Sequence, residues 1–172
     1  GVATDLLARK DAHHLAVIGA GAQGRSHLAA MMEVRDIQKV TVYDQRREAA
    51  KKYQKEMEEK YKIPVMVCDS VEETVKGAEI ICTVTPSKEP YLKAEWITPG
   101  AHINAVGAFT PNTREIESSL MAKAKLYADQ VEAMKKESGE YLIPKNEGLF
   151  GEEHITGSIG GILAGQVPGR EN

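Results

Sequence analysis

Apolar and polar positions along this chain switch repeatedly between a two-residue and a 3.6-residue period. Short apolar or β-branched runs fall at Leu15–Ile18, Lys39–Tyr43, Val65–Cys68, Glu79–Val84, Ala101–Val106 and Lys125–Ala128, and each reads as a strand. Helical spacing fills the gaps between them. Val2–Ala8 reads as the end of a helix, and Arg25–Val34 follows the first strand with a helix-like pattern. Glu48–Lys60 is dense in Glu and Lys, with Ala49, Ala50, Tyr53 and Met57 on one stripe, which predicts a surface helix. Asp69 or Ser70 caps a short helix that stops at Gly77, and a further helix runs from Pro111 to Met121. Glu95–Ile97 reads as a short turn packed by Trp96. This alternation predicts an α/β fold: a doubly wound, mainly parallel sheet of six strands with helices on both faces.

Past Gln130 the pattern thins. Glu137–Glu140 is polar and turn-like, and His154–Ala164 has helical spacing weakened by Gly157, Gly160 and Gly161, with Gly165 beyond. A closely packed helix that needs small residues is the simpler reading there. A second phosphate cradle over 157–161 is the alternative.

The first strand runs directly into Gly19-Ala20-Gly21-Ala22-Gln23-Gly24, a G-x-G-x-x-G turn followed by a helical pattern. Each glycine has a physical task in a Rossmann-type dinucleotide site. Gly19 permits the tight turn, Gly21 lets backbone approach a pyrophosphate, and Gly24 lets the helix pack against the sheet. Ala22 and Gln23 lie in the same turn, where the first N–H groups of the helix face phosphate. Asp44 stands twenty residues beyond Gly24, at the end of the second strand, where a carboxylate accepts ribose hydroxyls and repels a 2′-phosphate. The blander reading of Asp44 is a helix N-cap. Arg46 and Arg47 beside it are either solvated surface or partners for a 2′-phosphate, so NAD is favoured and NADP stays open.

Ligands in open α/β sheets bind at the carboxyl ends of strands. Two further stretches sit there. Thr85-Pro86-Ser87, in a proline-stiffened loop, offers hydroxyls to ribose or amide groups. Asn104-Ala105-Val106-Gly107 closes the fifth strand, with Gly107 suited to close approach on the nicotinamide side. Asn104 is equally well read as a strand-end hydrogen-bonder, and His102 as a structural histidine.

Composition narrows the function. The 172 residues fit one domain with a real core, and a net charge of -3 leaves no basic field for nucleic acid. No apolar run approaches the ~20 residues of a membrane span, and no signal peptide opens the chain. Cys68 and Cys82 read as buried thiols of a reducing cytoplasm. His13-His14 lacks a spaced third ligand, so no metal is expected. No Cys-x-x-Cys, HExxH or G-x-S-x-G motif is present, and Glu152-Glu153-His154 lacks a second helical histidine. Among Lys88, Glu89, Asp129 and Glu132 none stands out as an acid or base. The start at Gly1 and the end at Gly-Arg-Glu-Asn suggest a piece cut from a longer protein, with the substrate groups elsewhere.

Taken together, the chain resembles the ornithine cyclodeaminase/mu-crystallin family. The likeness is carried by Leu15–Gly24 with Gln23 inside the turn, Thr85-Pro86-Ser87 through Pro90, Glu95-Trp96 through Pro99-Gly100, and His102–Gly107. Arg114-Glu115 and Pro168-Gly169-Arg170 fit as well. The resemblance implies that residues 1–172 are a central NAD(P)-binding domain interrupting a substrate and dimerisation domain, with the full-length protein a homodimer. It implies hydride transfer between nicotinamide and an amino acid or its imine, as in ornithine cyclodeaminases, alanine dehydrogenases and ketimine reductases. The family's substrate-binding Lys and Arg would lie upstream of Gly1. In cyclodeaminases an Asp that serves as acid/base follows the A-V-G segment; Phe109 stands there in this sequence, and Phe moves no proton. A reductase or dehydrogenase is therefore a serious rival to cyclodeaminase activity. A non-catalytic nucleotide-binding protein of crystallin or sensor type is the rival from another class.

Overall fold

The computed structural model describes residues 1–171, and the chain divides into two compact units. The first holds Gly1–Thr85 and Trp96–Val106; the second holds Pro86–Glu95 and the chain from Gly107 onward.

In the first unit, α1 (Val2–Leu7) precedes β1 (His14–Ile18), α2 (Ala22–Val34), β2 (Lys39–Tyr43) and α3 (Arg47–Tyr61). β3 (Val65–Val67), α4 (Val71–Val75), β4 (Ile80–Thr83) and β5 (His102–Ala105) complete it. All strand pairings are parallel, in the order β3-β2-β1-β4-β5. The order reverses between β1 and β4, which opens a crevice at their carboxyl ends.

Strand alternation assigns the two faces. Leu15, Val17, Val40, Val42, Ile80 and Cys82 join Leu28 and Met31 of α2 and Tyr53 and Met57 of α3 in one apolar cluster. The predicted stripe on α3 is the side it buries, with Ala50, Tyr53 and Met57 all inaccessible. On the opposite face α4 lies over β1 and β2, and Thr41 Oγ1 donates to the Thr74 carbonyl at 2.6 Å. Ser70 is the residue that caps α4, its Oγ accepting the Glu73 N–H at 3.1 Å. α1 is tied down by Arg35, whose buried guanidinium donates to the carbonyls of Thr4, Asp5, Ala8 and Arg9. These carbonyls lie in and just past the last turn of α1, where intrahelical donors run out.

The sheet has five strands where six were expected. The predicted sixth strand exists as β6 (Leu126–Ala128), but it lies in the second unit and pairs in parallel with β7 (Ile155–Ser158). A strand finds its partner by non-local pairing, which local periodicity does not encode.

The second unit also contains α5 (Ser118–Lys123), α6 (Val131–Glu137), α7 (Gly139–Asn146) and α8 (Ile159–Leu163). The helix expected from Pro111 begins only at Ser118, and 110–117 is occupied by turns and a single bridge between Leu92 and Ile116. The polar stretch Glu137–Glu140 joins α6 to α7, and its last residue is buried. The glycine-rich tail divides into β7 and a five-residue α8, with Ser158 Oγ accepting the Gly161 N–H at 2.9 Å. Cβ atoms at Gly157 and Gly161 would press on Val167, so close packing explains these glycines. No helix among the described residues is long and apolar enough to cross a membrane.

Candidate dinucleotide-binding site

The backbone of the first unit bends sharply at the end of β1. Gly19 has φ +111°, a region that disfavours any Cβ, and an added Cβ would lie 2.8 Å from the Val84 carbonyl. Gly24 is buried in the first turn of α2, where a Cβ would collide with the Gly19 carbonyl and crowd Val17. Gly21 is different. Its backbone is ordinary extended chain (φ -83°, ψ -162°), and a Cβ there meets nothing within 4 Å. The space over Gly21 is open, while the space at Gly19 and Gly24 is filled by the protein itself.

Gly21 is the N-cap of α2 and supplies no side-chain cap. The first N–H groups of a helix lack intrahelical acceptors, and the 13-residue α2 adds the positive end of its dipole. Ala22 and Gln23 are exposed beside it. An anionic group over Gly21 would meet donors and no side chain. A pyrophosphate fits that cradle.

Asp44 lies next to this turn. Its Oδ2 accepts the Ala20 N–H at 2.9 Å and its Oδ1 accepts the Arg46 N–H at 2.9 Å. The helix that follows has Arg46, not Asp44, at its N-cap position, so Asp44 is not the cap and instead ties the glycine turn to the backbone at the helix start. Arg46 is itself 81% exposed, with Nε 3.8 Å from Asp44 Oδ1. Arg47 pairs with Asp69.

Around the same end of the sheet, Thr85 follows β4 half-buried, and Ala105 and Val106 are exposed where β5 ends. Asn104 does otherwise. Its amide donates to Thr4 Oγ1 at 2.9 Å and its Oδ1 lies 3.1 Å from His102 Nε2, so the side chain fastens α1 to β5. Pro86, Ser87 and Gly107 belong to the second unit, where Ser87 Oγ donates to the Glu89 carbonyl at 2.7 Å. Phe109 is 73% exposed there.

One residue that shapes the turn escaped the sequence reading. Arg25 donates to the carbonyls of Ala20 (2.5 Å) and Gly21 (3.1 Å), pairs with Glu56 at 2.6 Å, and lies 5.5 Å from the Tyr53 ring centroid. Tyr53 in turn donates to the Gly24 carbonyl at 3.2 Å, and burial pushes its phenol up, so it stays a donor. The only sequence signal was a cation one place after Gly24. Its acceptors, and Glu56 on a helix read as plain surface, became visible only in three dimensions.

His13 lies 3.2 Å from Glu79, and His14 is buried with its ring nitrogens on the Gly77 carbonyl and Thr41. Burial lowers the His14 pKa. Among the described residues no cluster of three or more His, Cys, Asp or Glu side chains is arranged to hold a metal. Burial also pushes the Cys82 thiol up to about 12, which makes it an inert core group.

Known proteins share this architecture. A Δ1-pyrroline-2-carboxylate reductase of Bacillus cereus is 39% identical over all of this chain and 53% of its own length. The solved Δ1-pyrroline-2-carboxylate reductase of Thermococcus litoralis, in complex with NADH and L-proline, superposes with a TM-score of 0.97. It is 42% identical, over 99% of this chain and 53% of that one. A solved archaeal alanine dehydrogenase dimer with bound NAD is 37% identical over 99% of this chain and 52% of its own, with a TM-score of 0.93. The chain thus spans about half the length of the relatives it matches. The model of one family, described as ornithine cyclodeaminase/mu-crystallin, matches residues 1–172, and the chain belongs to that family.

Proposed function

We propose that this chain is the dinucleotide-binding domain of an NADH-dependent reductase that converts a cyclic imine carboxylate of the Δ1-pyrroline-2-carboxylate kind into the cyclic amino acid. The observation that carries the choice of reaction is Phe109. It stands exposed where the family's cyclodeaminases, by the resemblance drawn above, use an Asp as acid/base. A phenyl ring moves no proton. It offers instead an apolar surface suited to the carbon skeleton of a ring.

Each residue of the cradle has a task in this reading. The open backbone at Gly21 and the first N–H groups of α2 hold the pyrophosphate. Asp44, already fixed by Ala20, accepts the adenosine ribose hydroxyls and disfavours a 2′-phosphate through like charge. That favours NADH over NADPH. Arg25 holds the turn's carbonyls back from the phosphates. The strand ends at Thr85 and at Ala105 and Val106 face the nicotinamide side. When bound, the cofactor supplies a hydride to the imine carbon while the nitrogen takes a proton, which leaves oxidised nicotinamide and a secondary amine.

The substrate carboxylate and the proton are handled by groups outside 1–172, in a substrate and dimerisation domain of the same gene product, and the whole enzyme is a cytoplasmic homodimer. Two buried free thiols, Cys68 and Cys82, suit a reducing compartment.

The test uses the complete gene product. NADH absorbance is followed with Δ1-pyrroline-2-carboxylate, and ammonia release is followed with L-ornithine and NAD. Imine-dependent loss of NADH without ammonia from ornithine is expected. Ammonia and proline with no net NADH would replace this reading by a cyclodeaminase, and NADH formation from L-alanine by a dehydrogenase. NADH binding without turnover of any of them would leave a nucleotide-binding protein.

A further inference from the structure

The second unit contains a carboxylate that cradle chemistry leaves unexplained. Glu115 is fully buried. Its Oε2 accepts the Gly107 N–H at 2.9 Å, and its Oε1 accepts the Tyr91 hydroxyl at 2.7 Å. Its own carbonyl takes the N–H groups of Tyr91 (2.9 Å) and Leu92 (3.0 Å). Its N–H donates to Glu140 Oε1 at 2.6 Å. One residue therefore joins three segments: the loop that continues from Thr85, the turn that opens at Gly107, and α7.

Burying a carboxylate is expensive, and packing alone would be served by an apolar side chain. Two fixed acceptors in one rigid group give something packing does not: they set the spacing of the two donors they hold. Downstream of Gly107 the chain is fixed again. Thr110 and Thr113 bond to each other, and the Gly139 N–H donates to the Thr110 carbonyl at 3.1 Å. Between these anchors Ala108 is buried and Phe109 is held outward.

We infer that Glu115 is a positioning residue for hydride transfer, holding the Gly107 turn and the Tyr91 segment in register so that Phe109 is presented at a fixed place. This rests on the reductase reading above. Glu115 is fully buried and acts through the backbone of Gly107. The adenosine half of the cofactor, held at the cradle in the first unit, does not depend on it.

Three variants of the complete gene product test this: Glu115→Ala, Glu115→Gln and Tyr91→Phe. Dissociation constants for ADP-ribose and NADH are measured beside kcat and KM for Δ1-pyrroline-2-carboxylate, with thermal melts as the folding control. Glu115→Ala is expected to leave ADP-ribose affinity within about twofold while kcat falls about ten- to hundredfold. Glu115→Gln is expected to recover most of that loss. Its carbonyl accepts the Gly107 N–H and its amide donates to the Tyr91 oxygen, whose hydroxyl turns to accept. Tyr91→Phe, which removes one of the two bonds, is expected to lower kcat about threefold.

An unchanged kcat in Glu115→Ala overturns the inference, as does equal weakening of ADP-ribose and NADH. Glu115→Gln as damaging as Ala overturns it too, because the charge and not the spacing would then matter. If Glu115→Ala does not fold, Tyr91→Phe decides, and wild-type kcat there is fatal. Wild-type protein that binds NADH without reducing the imine removes the reductase reading, and the role in hydride transfer falls with it. Wild-type protein that binds neither nucleotide removes both.

Discussion

Asp44 Oδ2 accepts the N–H of Ala20 at 2.9 Å, so the carboxylate that follows the second strand holds the glycine turn that follows the first. An acceptor fixed in this way is already in place before a ribose arrives. A carboxylate offers about four acceptor sites, and the N–H groups of Ala20 and Arg46 use two of them. The remaining capacity is what a ribose diol needs.

Replacing Asp44 by Ala should therefore weaken NADH binding by about tenfold or more, roughly 1.4 kcal/mol, because both the ribose acceptor and the anchor of the turn are lost. Asp44→Asn keeps an acceptor for Ala20 and removes the charge. It should narrow the preference for NADH over NADPH. Fluorescence titration of both nucleotides against both variants checks this; an unchanged NADH-to-NADPH ratio in Asp44→Asn would show that the carboxylate does not set cofactor choice.

Gly21 faces open space and Gly24 faces the protein itself. Gly21→Val adds atoms where the protein has none, so the melting temperature should stay near wild type while NADH binding is lost. Gly24→Ala drives a Cβ into the Gly19 carbonyl and should destabilise the fold by about 1–3 kcal/mol. Melting curves and NADH titration of the two variants read the two effects independently. Retained binding in Gly21→Val would remove the pyrophosphate from this turn.

Much of this site was legible because its logic is local. The glycine spacing, the strand before it and the acid at the end of the next strand all fall within one β-α-β stretch. What stayed hidden depends on partners far away in sequence. Asn104 reads equally as a strand-end hydrogen-bonder or a site residue, and its amide is found on Thr4, almost the whole first unit away in sequence. Lys125–Ala128 reads as a sixth strand of the sheet because period alone cannot reveal that Ile155–Ser158 is its neighbour. Glu140 lies in a stretch that reads as polar and turn-like, and Glu115 in one that reads as the start of a helix; only folding buries both against backbone donors.

Arg35 is the clearest single determinant of how α1 is held. Its side chain is 2% exposed and its guanidinium reaches the carbonyls of Thr4, Asp5, Ala8 and Arg9 as well as the Asp5 carboxylate. Arg35→Ala should cost about 3 kcal/mol or more, since several buried acceptors lose a charged donor at once. Arg35→Lys should recover little of this, because a point ammonium lacks the planar fork. Urea unfolding followed by circular dichroism measures both, and a fully stable Lys variant would contradict the fork requirement.

Glu140 makes stability depend on pH. Burial pushes its carboxyl up from the ordinary 4.5 to about 7; the N–H bonds from Glu115 and Ile116 oppose the rise, the Glu115 charge adds to it, and the Arg114 charge reduces it. A folded-state pKa above the unfolded one means that the folded chain binds the proton more tightly. The contribution is full below about pH 4.5 and is lost as the pH rises through about 7. A rise of that size corresponds to about 3 kcal/mol. Glu140→Gln keeps a neutral acceptor at every pH, so its stability relative to wild type should rise by up to about 3 kcal/mol between pH 4.5 and 8. Urea titrations of both proteins across that range give the difference directly. A gap that does not change with pH would mean that Glu140 titrates as an ordinary carboxylate. A gap that moves the other way would mean that the backbone donors outweigh burial and hold it ionised.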